Sequence, residues 1–389
     1  MAHRTCRSMI GPALRAFAGA LGVLCLAAPA ARAQGSLSTL GFGYPTGQLS
    51  TRALGAGGAL GDFDPNAPLN PAALVYSLRA LVYLQYDPEF RDVSVGGKSA
   101  STSTARFPLF GVSGRIAGFN VGLSFSSFLD RTWTNIYSDT QSVGGKLFPT
   151  TVTAQSSGGI SDARLALSYS FGPRFHVGGA VHVFPGENRT TIGLDFPDST
   201  LKLGSFTQAN IFNYSGSAVS LGVLAEPLPH WHVAATGRIG GALHIRQGDS
   251  TVIGNAHVPG KWSLSGMYDG FAGSVLAVRY ASEQWGALRG LGSNALPIHD
   301  ATDFSGGVEV AGPKISGYPL AMRVGLRSRG LPFSPDAAAV KEQSLTAGVG
   351  IPVSGGRGAA DISVARQRRT AGDVTETGWV VSIGLGIRP

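Results

Sequence analysis

The sequence is poor in cysteine, and both of its cysteines stand near its start. Cys6 and Cys25 fall within residues 1–33, where arginines precede an apolar stretch at 17–28 and an Ala-Arg-Ala site at 31–33. This is the pattern of a secretory signal peptide, so we expect residues 1–33 to be removed on export. A chain without this leader has no cysteine, which excludes disulfides, thiolate catalysis and metal sites built on cysteine.

Long apolar runs and a strong charge are also missing. No segment after the leader has about 18 consecutive apolar residues, so the sequence predicts no membrane-spanning helix. Charged residues make up only 14% of the chain, and loss of the four leader arginines lowers the formal net charge from +8 to +4. Such a mild excess gives no reason to expect a nucleic-acid partner.

Glycine and alternating apolar residues are what the chain has in abundance. It contains 56 glycines and has a mean hydropathy of +0.13. Along residues 377–387, one face of a strand carries large apolar side chains and the other carries mainly glycine and serine. Strands of membrane-spanning barrels turn large apolar side chains to lipid and small or polar ones to the lumen. The large side chains are Trp379, Val381, Ile383, Leu385 and Ile387.

The same alternation recurs in about fourteen segments from residue 80 onward, an even number as single-chain barrels require. The sequence therefore predicts an all-β fold, a transmembrane antiparallel β-barrel of about fourteen strands with an N-terminal plug. We expect a signal peptide at 1–33, the plug or hatch segment at 34–79 and the barrel at 80–389. Short connections alternate with long ones, which predicts short periplasmic turns and long outer loops. The expected long loops lie near residues 88–106, 130–159, 186–214, 244–260, 283–301 and 330–342, with a shorter one at 369–376.

Tryptophans fall at the ends of several predicted strands. Aromatic rings concentrate where a membrane meets water, so we expect these tryptophans to form interfacial belts. Trp133, Trp262, Trp285 and Trp379 stand at long-loop ends, and Trp231 stands at a short turn.

Charged residues on the predicted inward faces are the candidates for a ligand site. They are Arg164, Arg279, Glu309, Arg323 and Arg327, set among serine, glycine and alanine. One interpretation is a basic lumen that attracts a carboxylate head group, while small side chains leave room for an apolar tail. The other is that these charges tie the plug to the wall or face water, since polar interiors are normal in such barrels. Glu309 and Arg323 lie on neighbouring predicted strands, so we expect them to pair.

Four short motifs carry a resemblance to a known family. The pre-barrel segment ends in Asn70-Pro71-Ala72 followed by Ala73-Leu74, residues 258–266 begin with Val-Pro-Gly-Lys-Trp, Gly307-Val308-Glu309 precedes a Tyr-Pro-Leu segment at 318–325, and 377–387 closes the chain. Together these motifs resemble the FadL-type outer-membrane transporters of long-chain fatty acids and other hydrophobic compounds. The resemblance implies a plugged monomeric barrel that takes up hydrophobic molecules and can release them sideways into the membrane. Asn70, Pro71 and Ala72 would be its plug motif. The chain departs from the family by ending in Arg388-Pro389 rather than in an aromatic residue.

A second functional class remains open. A related branch of such barrels serves as a shuttle or anchor in protein secretion or surface display, and these motifs do not separate it from transport. A general porin is disfavoured, because a plug would obstruct a wide aqueous channel. The expected partners are a hydrophobic small molecule or fatty acid and the surrounding outer-membrane lipid.

Cofactors, metals and catalysis are not expected. His230 and His232 share a strand face but lack the third ligand that zinc needs. No motif singles out a serine for nucleophilic catalysis. A cluster of arginines beside the loop at 369–376 is expected either to be solvated or to meet anionic lipid head groups. Its members are Arg366, Arg368 and Arg369.

Overall fold

The computed structural model describes the chain from residue 37 onward. The expected leader at 1–33 and the start of the expected plug at 34–36 lie outside the described residues. Within the described part, no helix is both long and apolar enough to cross a membrane. The described ranges are 37–77, 79–95, 98–143, 146–196, 205–248, 251–291, 297–315, 317–335, 338–353 and 357–388.

In these ranges, seventeen strands form a single antiparallel sheet. The sheet closes into a barrel because its last strand, β17, pairs with β2, from Ile387 opposite Val82 to Thr375 opposite Ser94. The strands are β1 (Tyr44–Pro45), β2 (Leu81–Val95), β3 (Lys98–Ile116), β4 (Phe119–Asp130), β5 (Trp133–Val143), β6 (Lys146–Ser170), β7 (Phe175–Asp195), β8 (Phe206–Leu228), β9 (Trp231–Gln247), β10 (Thr251–His257), β11 (Lys261–Phe271), β12 (Ser274–Glu283), β13 (Ala301–Ile315), β14 (Tyr318–Leu331), β15 (Val340–Val353), β16 (Gly358–Ala371) and β17 (Val374–Ile387).

Three of these strands do not add places to the ring. β4 and β5 both pair with β6, and β10 and β11 both pair with β9, so each couple occupies one place. β1 comes from the plug and pairs with β4. The described sheet therefore has fourteen places in its ring, and the predicted transmembrane barrel is confirmed. Its first strand begins and its last strand ends at the end with the short turns, which is the periplasmic end in barrels of this class.

The outer surface of the barrel is apolar, as the alternation predicts. Leu221, Ile239 and Leu326 expose 71%, 72% and 63% of their surfaces. Exposing apolar surface to water costs roughly 25 cal/mol per Å², whereas hydrocarbon lipid accepts it. Trp262, near the start of β11, and Trp379, inside β17, are about half-exposed on this surface, as is expected of rings in an interfacial belt.

The predicted long loops are wrong in most places, because the strands continue through them. β5 and β6 pair from Trp133 opposite Ser156 to Val143 opposite Lys146, within the loop predicted at 130–159. β6 has 25 residues, about 80 Å at 3.3 Å per residue, and a hydrocarbon core of about 30 Å needs far fewer. Beyond the membrane a strand needs no apolar outer face. The strand segments beyond the membrane are rich in serine and threonine. They therefore lack the alternation of large apolar and small side chains from which strands are predicted.

Residues 37–77 and 79–80 form the plug, called the hatch below. It has one short α-helix, α1 at Thr51–Gly55, and two 3-10 helices at Gly61–Phe63 and Pro71–Tyr76. Ser50 starts α1, because its hydroxyl accepts a hydrogen bond from the backbone N–H of Ala53. Most of the hatch is buried against the inner wall, where α1 contacts β14 to β17 and the helix at Pro71–Tyr76 contacts β4, β6, β7 and β8.

Candidate functional site

The motif Asn70-Pro71-Ala72 seats the hatch on two wall glycines. The Asn70 side chain accepts a hydrogen bond from the Ala72 N–H at 2.9 Å and so begins the 3-10 helix at Pro71–Tyr76. The wall approaches this turn closely: a Cβ at Gly222 would lie 1.9 Å from Asn70 Oδ1, and one at Gly178 would lie 2.4 Å from the Pro71 carbonyl carbon. Only glycine fits at these two wall positions.

The hatch helix α1 and the turn after it rest on a second set of wall glycines. A Cβ at Gly307 would lie 2.2 Å from the Ala56 carbonyl oxygen, and one at Gly325 would lie 2.2 Å from the Ala56 carbonyl carbon. Gly57 has a φ of +69°, a left-handed conformation that glycine adopts without strain. The glycines at 307 and 325, noted in the sequence motif, therefore make room for the hatch backbone.

Arg279 and Arg327 lie in one chain of buried ion pairs. Asp62 of the hatch accepts hydrogen bonds at Oδ2 from Arg279 Nε at 3.0 Å and from the hydroxyls of Ser263 and Ser265. Arg279 also lies 3.3 Å from Asp303, to which Arg327 donates from Nε and Nη2 at 2.9 and 2.6 Å. Both predicted arginines are thus neutralised by carboxylates, one of which belongs to the hatch.

Glu309 and Arg323 lie in a second network of ion pairs, and their predicted pairing is confirmed. Arg323 Nε lies 2.5 Å from Glu309 Oε2, and Arg323 Nη1 lies 2.5 Å from Asp361 Oδ1. Arg52 of the hatch binds both Glu309 oxygens, at 2.8 and 3.0 Å. Burial lowers the pKa of Arg52, but the Glu309 carboxylate outweighs it and holds the pKa above its ordinary value. The guanidinium therefore stays charged, and the hatch is held by a two-pronged ion pair.

Arg164 is the predicted arginine that is left without such a partner. It is 4% exposed, and its Nε and Nη2 atoms have no hydrogen-bond partner among the described residues. The same holds for the hydroxyls of Ser124 and Ser168 and for Asn120 Oδ1, which face the lumen on β4 and β6. Ser124 stands directly opposite Arg164, and Asn120 stands opposite Ser168. These four side chains form a polar patch, in which the Arg164 guanidinium and the two serine hydroxyls can donate hydrogen bonds to an anion.

The polar patch opens towards the periplasmic end through two adjoining cavities. A narrow cavity of about 20 Å³ touches Arg164, Ser124 and the hatch residues Pro65 and Asn66. Pro65, Asn66 and Leu81 also line a larger cavity of about 520 Å³ at the periplasmic end. A cavity of the smaller size holds about one water molecule, so the hatch controls how much can reach Arg164.

Tyr44 of the hatch stands in a cage of arginines that the sequence did not indicate. The guanidinium carbons of Arg369, Arg329, Arg106 and Arg91 lie 4.7, 5.1, 5.2 and 6.0 Å from its ring centre. Its hydroxyl donates to Glu342 at 2.8 Å and accepts from Arg369 at 2.9 Å. The prediction that Arg369 faces lipid or solvent is therefore wrong. Its side chain is buried in the lumen and ion-paired to Glu89, Glu342 and Glu376.

An apolar cluster fills the lumen towards the outer end. Phe128 stacks on Trp285 with ring centres 5.2 Å apart and meets Phe184 edge-on at 5.0 Å. The Arg238 guanidinium lies over the Phe128 ring at 5.2 Å. Trp285 belongs to a 3-10 helix, Trp285–Leu291, that folds into the lumen, and it is 1% exposed. Its predicted place in an interfacial belt is wrong, because a strand end does not determine whether a ring turns to lipid or inward.

The wall beside this cluster is completed by the hatch instead of by a neighbouring strand. β3 and β4 pair only from Leu109 opposite Ser126 to Ile116 opposite Phe119. Above that point, Tyr44 and Pro45 of β1 pair with Asp130 and Leu129 of β4. Arg106 of β3 reaches across to the Asp130 carboxylate. We call this stretch, along which β3 and β4 are not paired with each other, the seam.

A buried polar chain joins the hatch to three neighbouring strands. Gln48 donates to Asp162 Oδ2 on β6 at 2.8 Å, Asp162 Oδ1 lies 2.9 Å from His182 Nδ1 on β7, and His182 Nε2 lies 2.8 Å from the Ser220 hydroxyl on β8. The order of bonds is that of a hydrolase triad, but all three wall residues are at least nine-tenths buried. Because these groups are buried, their hydrogen bonds hold the Gln48 side chain of the hatch in place.

Known proteins of similar structure show where this architecture occurs. No family model matches the sequence, and no curated protein matches it. Among solved structures, the chain is similar to a Pseudomonas aeruginosa FadL homologue at 13% identity and a TM-score of 0.58, covering 87% of this chain and 98% of that one. It is equally similar to the Pseudomonas putida toluene transporter TodX, with the same identity and TM-score over 87% and 96% of the two chains. The CymD monoaromatic hydrocarbon channel matches at 12% identity and a TM-score of 0.53 over 92% and 99%. The chain therefore shares its fold with these three proteins.

Proposed function

We propose that this protein is a bacterial outer-membrane channel that takes up hydrophobic small molecules. The observation that carries the proposal is that the apolar cluster and the seam meet on one strand. Phe128 belongs to the cluster, and Leu129, which packs in the same cluster, is paired to Pro45 of the hatch. The fold shared with a toluene transporter and a hydrocarbon channel supports this function.

The proposed route runs from the outer end into the cluster and then sideways. A hydrophobic molecule that enters the cluster replaces contacts among Phe128, Phe184 and Trp285 with its own contacts to these rings. The three side chains therefore stay in an apolar environment. Withdrawal of residues 44–46 then opens the seam, because β3 and β4 have no backbone ladder there to break. The molecule leaves into lipid without crossing the ion-paired layers around Asp62 and Glu309, which a neutral apolar molecule enters only at a desolvation cost.

Arg164 is the proposed head-group contact for substrates that carry a carboxylate. The other predicted arginines, Arg279, Arg323 and Arg327, already bind carboxylates of the wall and hatch. A buried guanidinium with unused donors is costly unless an anion or water satisfies it. A carboxylate on Arg164 and the neighbouring serines would meet that demand.

Transport is favoured over a role in secretion or display by the filled lumen and the seam. A shuttle or anchor needs neither an apolar cluster inside the barrel nor a wall gap closed by the hatch. We propose no catalytic role, since the Ser220 hydroxyl is buried and engaged. The ring closes within one chain, which suits a monomer surrounded by outer-membrane lipid.

A disulfide across the seam tests the route. Pro45 and Leu129 are directly opposite each other, so the double variant Pro45→Cys/Leu129→Cys should lock residues 44–46 to β4 when oxidised. Cells that make the oxidised variant are expected to accumulate no more radiolabelled toluene or long-chain fatty acid than cells without the protein. Reduction should restore uptake.

The matched control is Val112→Cys/Leu123→Cys, which joins β3 to β4 at a point where these two wall strands are already paired. This control should transport equally when oxidised and when reduced. Uptake that persists through the oxidised seam variant would rule out the sideways route. A wild-type protein that supports no uptake of either compound would rule out the proposed function itself.

A further inference from the structure

An open groove lies on the lipid-facing wall of the barrel, away from the lumen. It has a volume of about 770 Å³ and is formed by the outer faces of β13, β14 and β15. Its apolar lining includes Phe304, Val308, Val324, Leu326 and Leu345. Pockets that bind small molecules commonly have volumes of roughly 300 to 1,000 Å³, so the groove is of ligand size.

The groove exists because one outward position has no side chain. Gly306 lies on the outer face of β13, between Phe304 and Val308 along the strand, and it stands opposite Val278 on β12 and Leu326 on β14. A Cβ placed on Gly306 would have no atom within 4 Å. Neither a close approach nor a turn therefore requires glycine here, in contrast to the wall glycines beneath the hatch.

Cationic side chains border the groove at its end nearest the outer surface. Arg366 on β16 stands opposite the groove residue Leu345, and Arg368 stands opposite the groove residue Gln343. The Arg366 guanidinium lies 5.1 Å from the ring centre of Trp379, which is 48% exposed on the outer wall. Tryptophan at this position marks the level of the lipid head groups. The apolar groove thus ends where two arginines reach that level.

We propose that this groove binds an anionic, phosphate-bearing lipid of the outer leaflet, with an acyl chain beside Gly306 and the phosphate against Arg366 and Arg368. The complementarity is of two kinds at once. Hydrocarbon fills the notch left by the missing side chain, and two cations meet an anionic head group at the interface. A zwitterionic lipid makes the same hydrocarbon contact, but its head group is attracted less strongly by the two arginines. The site is independent of the proposed transport route, because Phe304, Leu326 and the two arginines face outward.

Native mass spectrometry of the detergent-purified, full-length mature protein tests the site. Phosphatidylglycerol and phosphatidylcholine with the same acyl chains are titrated separately, and the apparent affinity of each is read from the lipid-bound peaks. The wild type is expected to bind phosphatidylglycerol about tenfold more tightly, the ratio that 1.4 kcal/mol gives. Gly306→Leu should weaken phosphatidylglycerol binding about tenfold by filling the notch. The double variant Arg366→Gln/Arg368→Gln should bind the two lipids equally.

Matched controls separate this site from general lipid contact. Gly237 also faces outward with no atom within 4 Å of an added Cβ, between Trp262 and Leu221 on the neighbouring strands, so Gly237→Leu adds the same side chain elsewhere on the wall. Arg174→Gln removes one exposed cation at a periplasmic turn. Both controls should bind like the wild type. Equal effects of Gly306→Leu and Gly237→Leu, or an undiminished preference in Arg366→Gln/Arg368→Gln, would overturn the proposal.

Discussion

Arg279 of the wall donates a hydrogen bond from Nε to Oδ2 of the hatch residue Asp62 at 3.0 Å, and both side chains are buried. The pair joins positions that are 217 residues apart in the sequence. A buried ion pair contributes little compared with apolar packing, but losing one partner leaves the other charge uncompensated. The hatch is therefore held by contacts that penalise any small displacement.

Removing the hatch carboxylate should loosen the plug. Asp62→Asn leaves Arg279 buried with only the Asp303 contact, and we expect thermal unfolding in detergent to show a loss of about 3 kcal/mol or more in stability. Asp139→Asn, at an exposed position on β5, is the control and should change stability by less than about 0.5 kcal/mol. An Asp62→Asn protein as stable as the control would show that the pair does not hold the hatch.

The glycines beneath the hatch make a second, steric prediction. Gly222→Ala places a Cβ against Asn70 and should displace the turn at Asn70-Pro71, with a cost of about 1 to 3 kcal/mol from overpacking. Gly237→Ala, on the next strand but facing outward into open space, should cost less than that. Hydrogen exchange of residues 61–76 measures the displacement. Unchanged protection in Gly222→Ala would contradict the close contact.

The aromatic cluster predicts a selective loss of affinity for aromatic compounds. Phe128→Leu keeps most of the apolar volume but removes the stack on Trp285, so toluene binding should weaken by about 0.5 to 1.5 kcal/mol, or roughly 2- to 10-fold. Equilibrium binding of toluene to the purified protein measures the change. Phe110→Leu, at an outward position that is 43% exposed, should leave affinity unaltered. Equal effects of the two variants would argue against binding at the cluster.

The unpartnered arginine predicts discrimination between acids and neutral analogues. Arg164→Gln should weaken binding of dodecanoate by about 1.5 to 3 kcal/mol, which is roughly 10- to 150-fold, because a hydrogen-bonded charge is lost. Binding of dodecanol should change little. Arg174→Gln carries the same charge change on an exposed turn and serves as control. Equal losses for the acid and the alcohol would remove the head-group role of Arg164.

Two variants of Tyr44 distinguish the hydrogen bonds of its hydroxyl from the contacts of its ring with the four arginines. Tyr44→Phe removes the hydroxyl that bonds Glu342 but keeps the ring among the four arginines, so we expect a loss of about 1 to 2 kcal/mol in stability. Tyr44→Leu also removes the cation–π contacts, each worth up to about 2 kcal/mol when desolvated, and should cost more. Thermal unfolding compares the two variants directly. A leucine variant no less stable than the phenylalanine variant would show that the ring contacts contribute nothing.

Short-range pattern explains the parts of the fold that were correctly predicted. Alternation of large and small side chains is a local property with a period of two residues, so it revealed the fourteen places of the barrel ring and the face turned to lipid. It did not reveal β1, β5 or β10. The same reasoning failed where strands leave the membrane, since a strand in water has no apolar outer face to signal it.

The sequence by itself determined that this chain closes into a lipid-facing barrel with a segment left over to fill it, because burial on one face imposes a readable order on every spanning strand. Only the tertiary structure decided what each inward residue does. Within the described part of the chain, Arg164 has unused donors whereas Arg279, Arg323 and Arg327 are neutralised. Arg369 and Trp285 turn inward instead of outward. Those outcomes depend on which distant residue the strand register and the hatch bring within about 3 Å, the range of a hydrogen bond. No local pattern carries that information.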